Sequence, residues 1–293
     1  MSFGIGTVRV ATVIHLTDTL HTSFADRSVI SDALRKSLIV RGTEAQFVIS
    51  WCGLASANRG HRTADWLFRT LCEMDAVSLG PEQIVRNLTE VATAHFRSLR
   101  AADKRCEFLL GGWHNSRPFV GIVSNYADMT SSMPTESDKR HHIPSFSEAF
   151  VAAAKFQGSV QYFWNPTERH YVVSVIGDCN AKALKGHFRG LKGLMKKRVP
   201  GQCIIRACRQ IAREACCHSD TIGKNLIGVE MERDGGTYCS YYSEEGIETM
   251  LLPDTLSELG STTQMTISTS LVADQLEMRF RGKIAKRFTS NSV

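Results

Sequence analysis

GIGTVRVATVIHLT, residues 4–17, decides how the chain begins. Val8, Val10, Thr12, Ile14 and Leu16 take one face of an alternating pattern. Thr7, Arg9, Ala11, Val13 and His15 take the other, His15 reading as a packed or surface histidine rather than a base. A period of two over this length predicts one strand or two at the very start of the chain. The same stretch argues against an export signal. No basic cluster precedes the apolar part, Arg9 interrupts it, and no small-residue cleavage pattern follows.

Working outward, AQFVIS (45–50) is a second short apolar strand, and Gly53 ends that pattern. Ala64, Leu67, Leu71 and Met74 then fall at helical spacing. Gly80-Pro81 opens a second helix, with the stripe Ile84, Leu88, Val91, His95 and Leu99. EFLLGGW (107–113) and PFVGIVSNY (118–126) form a strand pair around residues 114–117. Residues 127–146 read as a surface loop. EAFVAAAKF, VQYFW and HYVVSVI (170–176) read as strands. Helices are expected over 180–198 (Leu184, Phe188, Leu191, Met195) and 201–217 (Ile204, Cys208, Ile211, Ala215). NLIGVEME and TYCSYYS close as a hairpin around Asp234-Gly235-Gly236. Strands joined by hairpins and interleaved with helix pairs point to antiparallel sheets covered by helices, not to a doubly wound parallel sheet.

Composition narrows the function classes. With 293 residues, 43% of them hydrophobic, the chain can bury a large core. No apolar run is long enough to cross a bilayer. Nine cysteines show no framework spacing and, without an export signal, read as reduced thiols in a cytoplasmic protein. Cys216, Cys217 and His218 invite a metal reading, but no second ligand pair accompanies them, so no metal or organic cofactor is expected. Lys182, Lys185, Arg189, Lys192 and Lys196 make one basic stripe within a net charge of +6. With few aromatics interleaved and no recognisable nucleic-acid module, the stripe reads as a solvated or subunit-facing helix face, not a nucleic-acid site.

Several local features resemble one family. Thr17-Asp18-Thr19 stands where that family has an acidic turn, and Ala33-Leu34-Arg35-Lys36 where it has the segment carrying its catalytic lysine. Cys52-Gly53-Leu54-Ala55 resembles its Ala-Gly-Leu turn, and Phe108-Leu109-Leu110-Gly111-Gly112 its mid-chain Ile-Gly-Gly strand. Val175-Ile176-Gly177-Asp178 and Ser219-Asp220 match its later turns. On these residues the chain resembles the proteasome β-type subunits, including the bacterial two-component protease subunit and Anbu-type homologues, within the N-terminal-nucleophile hydrolases. The resemblance covers roughly residues 2–245. It implies an α+β fold in the form of a four-layer αββα sandwich over residues 1–250, with 127–146 as an insertion and 251–293 as an extension. It also implies a cytoplasmic homo-oligomer acting on a peptide or amide substrate.

The resemblance assigns roles by position. In the family the nucleophile lies sixteen residues before the aspartate, which here falls on Ser2, exposed by removal of Met1 with no propeptide required. The α-amine, with an ordinary pKa of about 7.7–8.0, would act as base. Lys36 would stabilise developing negative charge, Asp18 would hold Lys36, the Gly53 N–H would donate to the oxyanion, and Asp220 would support the amine. The chain departs from the pattern at Thr19, where the family has arginine, at Asp178-Cys179, where it has a serine, and at Gly223, where it has a second serine. The alternative is a catalytically inactive subunit with a structural role, its Asp18–Lys36 pair purely an ion pair.

Overall fold

The computed structural model describes residues 2–22, 29–32, 34–57, 61–126, 141–142, 148–162, 171–177, 183–197, 199–234, 236–259 and 262–266. The chain runs through β1 (Phe3–Arg9), β2 (Thr12–Asp18), β3 (His21–Thr22), β4 (Val29–Ser31), β5 (Ser37–Arg41), β6 (Ala45–Gly53), β7 (Ser56–Ala57) and β8 (His61–Arg62). Helices α1 (Thr63–Glu73) and α2 (Pro81–Ser98) lead to β9 (Cys106–His114), β10 (Arg117–Ser124) and β11 (His141–His142). After α3 (Glu148–Ala153) come β12 (Gln157–Tyr162) and β13 (Tyr171–Gly177). Helices α4 (Lys185–Met195) and α5 (Gly201–Cys217) then precede β14 (Leu226–Glu232), β15 (Thr237–Tyr242), β16 (Glu248–Leu251), β17 (Thr255–Leu259) and β18 (Thr262–Thr266).

The result is a mixed α+β fold. One seven-stranded sheet has the order β11-β13-β1-β2-β14-β15-β16, the other β12-β10-β9-β6-β5-β17-β18. Pairing is antiparallel except at β11–β13 and at β5–β17. The latter draws the chain beyond residue 250 into the second sheet, where Leu256 is fully buried.

The opening stretch is a hairpin, and its turn changes the phase of the alternation. Gly4 pairs with Thr17 and Val8 with Val13, so the chain reverses at Val10–Ala11. Val8 and Val13 then share one buried cluster, while Phe3, Ile5, Ile14 and Leu16 share another. An unbroken alternation, which would group Val8 with Ile14 and Leu16, is corrected by those two turn residues.

Helix α2 starts at Pro81, where the missing N–H of proline costs nothing. Its buried face is Ile84, Val85, Leu88, Ala92 and Phe96, whereas Val91 is 41% exposed. The core stripe therefore runs one position away from the expected Val91-His95-Leu99 line. EAFVAAAKF is corrected in part: Glu148–Ala153 is helical, as an alanine-rich run favours. α4 and α5 bury the expected residues, Leu184 (the residue capping α4), Phe188, Leu191 and Met195 in one and Ile204, Cys208, Ile211 and Ala215 in the other. Lys185, Arg189 and Lys196 are exposed, and Lys182 lies outside the described residues. So does the expected loop insertion, apart from His141 and His142.

Among the described residues, three clusters of buried side chains follow from this arrangement. One joins β5, β6, β9 and β10 to α1 and α2, and one joins β1, β2 and β13 to α4 and α5. The third takes Val8, Val13 and Val172 from the first sheet and Val48, Cys52 and Leu109 from the second. No described helix is long and apolar enough to cross a membrane.

Candidate active site

The hairpin register explains why a serine and an aspartate far apart in sequence meet. Pairing of Gly4 with Thr17 brings the next positions, Phe3 and Asp18, across from each other, and the Phe3 N–H donates to Asp18 Oδ1 at 2.8 Å. Ser2, one residue earlier, is 3% exposed, and Asp18 is fully buried. Lys36 immediately precedes β5, and its carbonyl accepts from the Trp51 N–H at 2.9 Å, which ties it to β6. Its side chain is fully buried and reaches back to the hairpin.

The Lys36 Nζ lies 2.9 Å from each of three acceptors: Ser2 Oγ, Asp18 Oδ1 and the Leu20 carbonyl. Three acceptors match the three N–H groups of an ammonium. Asp18 Oδ2 in turn accepts from the N–H of Leu20 at 3.3 Å and of Gly223 at 3.1 Å. Both charges of the pair are therefore desolvated but hydrogen-bonded on every side, the condition under which a buried ion pair is tolerated. Ser2 Oγ accepts from Lys36, which leaves its own hydroxyl proton for another acceptor.

The other expected residues stand as follows. Gly53 ends β6 with a φ of 106°, a conformation open to glycine, and a Cβ there would stand 2.1 Å from the Arg105 carbonyl oxygen. Its neighbour Cys52 is fully buried, and its thiol is pushed well above its ordinary pKa by burial, then by Asp18. Asp220 is exposed and makes no hydrogen bond to Ser2, Asp18 or Lys36 among the described residues. Its turn reaches the cluster through the Gly223 amide instead. Thr19, where the resembled family has arginine, is buried and donates its hydroxyl to Asp32 Oδ1 at 2.8 Å. Asp178 and Cys179 lie outside the described residues.

Several contributors were not legible beforehand. The Leu20 carbonyl and the Gly223 amide are backbone groups, which residue type cannot announce. His21, beside the cluster, bonds Ser56 Oγ at 3.0 Å, and its pKa is lowered by burial, then by Lys36 and Arg62. Glu107, the one acid in an otherwise apolar strand, is fully buried and bonds the Gly177 N–H at 3.0 Å. Its isolation in EFLLGGW was the available signal.

The fold places the chain in a class: a mixed α+β protein similar in fold to the proteasome-like Anbu proteins. A Gly-1 mutant of Anbu from Hyphomicrobium sp. strain MC1 aligns over 85% of this chain and 87% of its own, with a TM-score of 0.52 and 12% identity. Anbu from Yersinia bercovieri, described as an ancestral β-subunit, aligns over 78% and 80%, with a TM-score of 0.49 and 12% identity. No protein-family model and no curated protein matches the sequence. These findings correct the resemblance to proteasome β-type subunits. The structural neighbours belong to a distinct proteasome-like family, and at 12% identity the likeness is one of fold.

Proposed function

We propose that the chain is an N-terminal-nucleophile hydrolase that cleaves peptide or other amide bonds, with Ser2 as nucleophile once Met1 is removed. The observation that carries this reading is the buried Lys36 ammonium, 2.9 Å from both Ser2 Oγ and Asp18 Oδ1. A serine hydroxyl needs activation. A lysine whose donors are all engaged cannot take its proton, so the base is the Ser2 α-amine, whose ordinary pKa of about 7.7–8.0 leaves part of it neutral near pH 7.

The amine takes the Oγ proton as Oγ attacks the carbonyl carbon. The C–N bond then breaks, and the amine returns the proton to the departing nitrogen. Water hydrolyses the resulting ester, releasing the acid and restoring the hydroxyl. Lys36 offsets the charge that develops on Oγ, and Asp18 holds Lys36 in place. The Gly53 N–H is the proposed oxyanion donor. The turn bearing Asp220, the residue expected to support the amine, contributes through Gly223.

The three buried clusters support a four-layer αββα sandwich as the frame, each sheet carrying one helix pair and facing the other sheet. By analogy with the proteasome-like neighbours the chain is proposed to self-associate, which light scattering of the purified protein tests.

The decisive experiment is intact mass of the untagged protein, before and after treatment with a peptide epoxyketone. The expected result is a chain lacking Met1 that gains one adduct at Ser2, and no adduct in Lys36→Ala. A chain that keeps Met1 has no free serine amine, and the inactive, structural reading then replaces the enzyme.

A further inference from the structure

Glu107 is buried, charged by type and absent from the chemistry above. It sits on β9 opposite Cys52 of β6 and Ser124 of β10, so its side chain points into the space between the sheets, away from Phe108 and the α1/α2 side. There its carboxylate crosses to the other sheet and accepts the Gly177 N–H at 3.0 Å.

Gly177 is the last residue of β13 and pairs with Phe3, the residue after Ser2. Its φ is +85°, and a Cβ at this position would lie 2.0 Å from the Ser2 carbonyl oxygen and 3.1 Å from Cys52 Cβ. The Gly177 backbone is therefore the surface on which Ser2 rests. The two ends of the proposed site are held differently. Lys36 fixes the Ser2 hydroxyl, whereas the Ser2 main chain is backed by a glycine whose own amide is tied to a single buried acid.

We infer that Glu107 is a positioning residue: by bonding the Gly177 amide it sets the main chain of Ser2, and with it the amine and hydroxyl that must meet the substrate carbonyl. A carboxylate–amide bond is among the stronger ones available, and a nucleophile displaced by about 1 Å reacts up to about 10²-fold more slowly. The inference rests on the hydrolase reading and extends it.

The test is the kinetics of epoxyketone labelling in wild type, Glu107→Leu and Glu107→Gln, with rate at saturation (kinact) and half-saturation (KI) separated and melting followed in parallel. Leucine removes the acceptor, while the glutamine amide oxygen keeps it. The expected result is a kinact at least about 10-fold lower in Glu107→Leu, with KI unchanged, and a value within about 3-fold of wild type in Glu107→Gln. A folded Glu107→Leu protein that labels at the wild-type kinact overturns the inference and leaves the hydrolase reading standing. A wild type that does not label removes the hydrolase reading and this inference with it. If Glu107→Leu fails to fold, Glu107→Gln decides: a folded variant must label near the wild-type rate, and failure to do so overturns the bond to Gly177 as the cause.

Discussion

Strand β2 carries two buried polar sites three residues apart, and they are built on opposite principles. At Asp18 the site is ionic and saturated: Lys36 finds three acceptors, and Asp18 finds four donors. At His15 the site is neutral and sparse. Its Nδ1 meets Ser50 Oγ at 2.8 Å, and Ser50 meets Ser37 Oγ at 2.8 Å. Its Nε2 has no partner among the described residues. That nitrogen lies against Gly6 and Gly111, where a Cβ would come within 3.1 and 2.7 Å of it. A charged side chain survives burial only where donors and acceptors close around it, whereas an imidazole survives by staying uncharged. The His15 pKa, lowered by burial to about 3, expresses that choice.

The largest effect is expected where the saturated pair is broken. Lys36→Met leaves Asp18 buried without its counter-charge and should cost about 3–5 kcal/mol in urea unfolding. Adding Asp18→Leu should recover much of that loss, because the second substitution removes the stranded charge. Neither variant should take up the epoxyketone. A double variant no more stable than Lys36→Met would show that the cluster is not held as an ion pair.

Acid provides the next largest effect, and it acts on the other site. The unfolded chain binds a proton at His15 below about pH 6.5, while the folded chain resists until about pH 3. The stability contributed by the neutral imidazole is thus complete above about pH 6.5 and is lost as pH falls toward 3. Between pH 7 and 5 the loss from this residue should be about 2 kcal/mol. His61, held down to about 4 by burial and by His95, adds a contribution of the same sign. Urea midpoints at both pH values should therefore converge partly, not wholly, in His15→Gln. An unchanged pH dependence in that variant would mean that His15 titrates in the fold as it does in the unfolded chain.

How far the sequence foretold these two sites follows from their construction. Ser2, Asp18 and Lys36 were singled out by the family resemblance, which supplied the sixteen-residue spacing and the position of the lysine, and the hairpin register is what turns that spacing into contact. The helices around residues 185–217 were legible because their apolar stripes bury one face each. His15 read as packed or surface, because the phase of its strand depends on a turn at Val10–Ala11 that carries neither glycine nor proline. Gly177 and Gly223 act through backbone N–H groups, and Gly53 is proposed to do so. Such groups become visible only once strand ends are placed.

The smallest effect separates the two sites most cleanly. Ser50→Ala removes the only hydrogen bond that the described residues offer His15 Nδ1, and should cost about 1 kcal/mol. The cost is modest because the imidazole carries no charge to strand. Ser50 pairs with Ser37, directly after Lys36, so the substitution is close to the ionic cluster along the chain yet touches none of its six hydrogen bonds. Epoxyketone labelling of Ser2 should stay at the wild-type rate. A Ser50→Ala protein that unfolds more easily and also labels more slowly would join what the geometry keeps apart, and the His15 chain would then have to be counted as part of the reactive site.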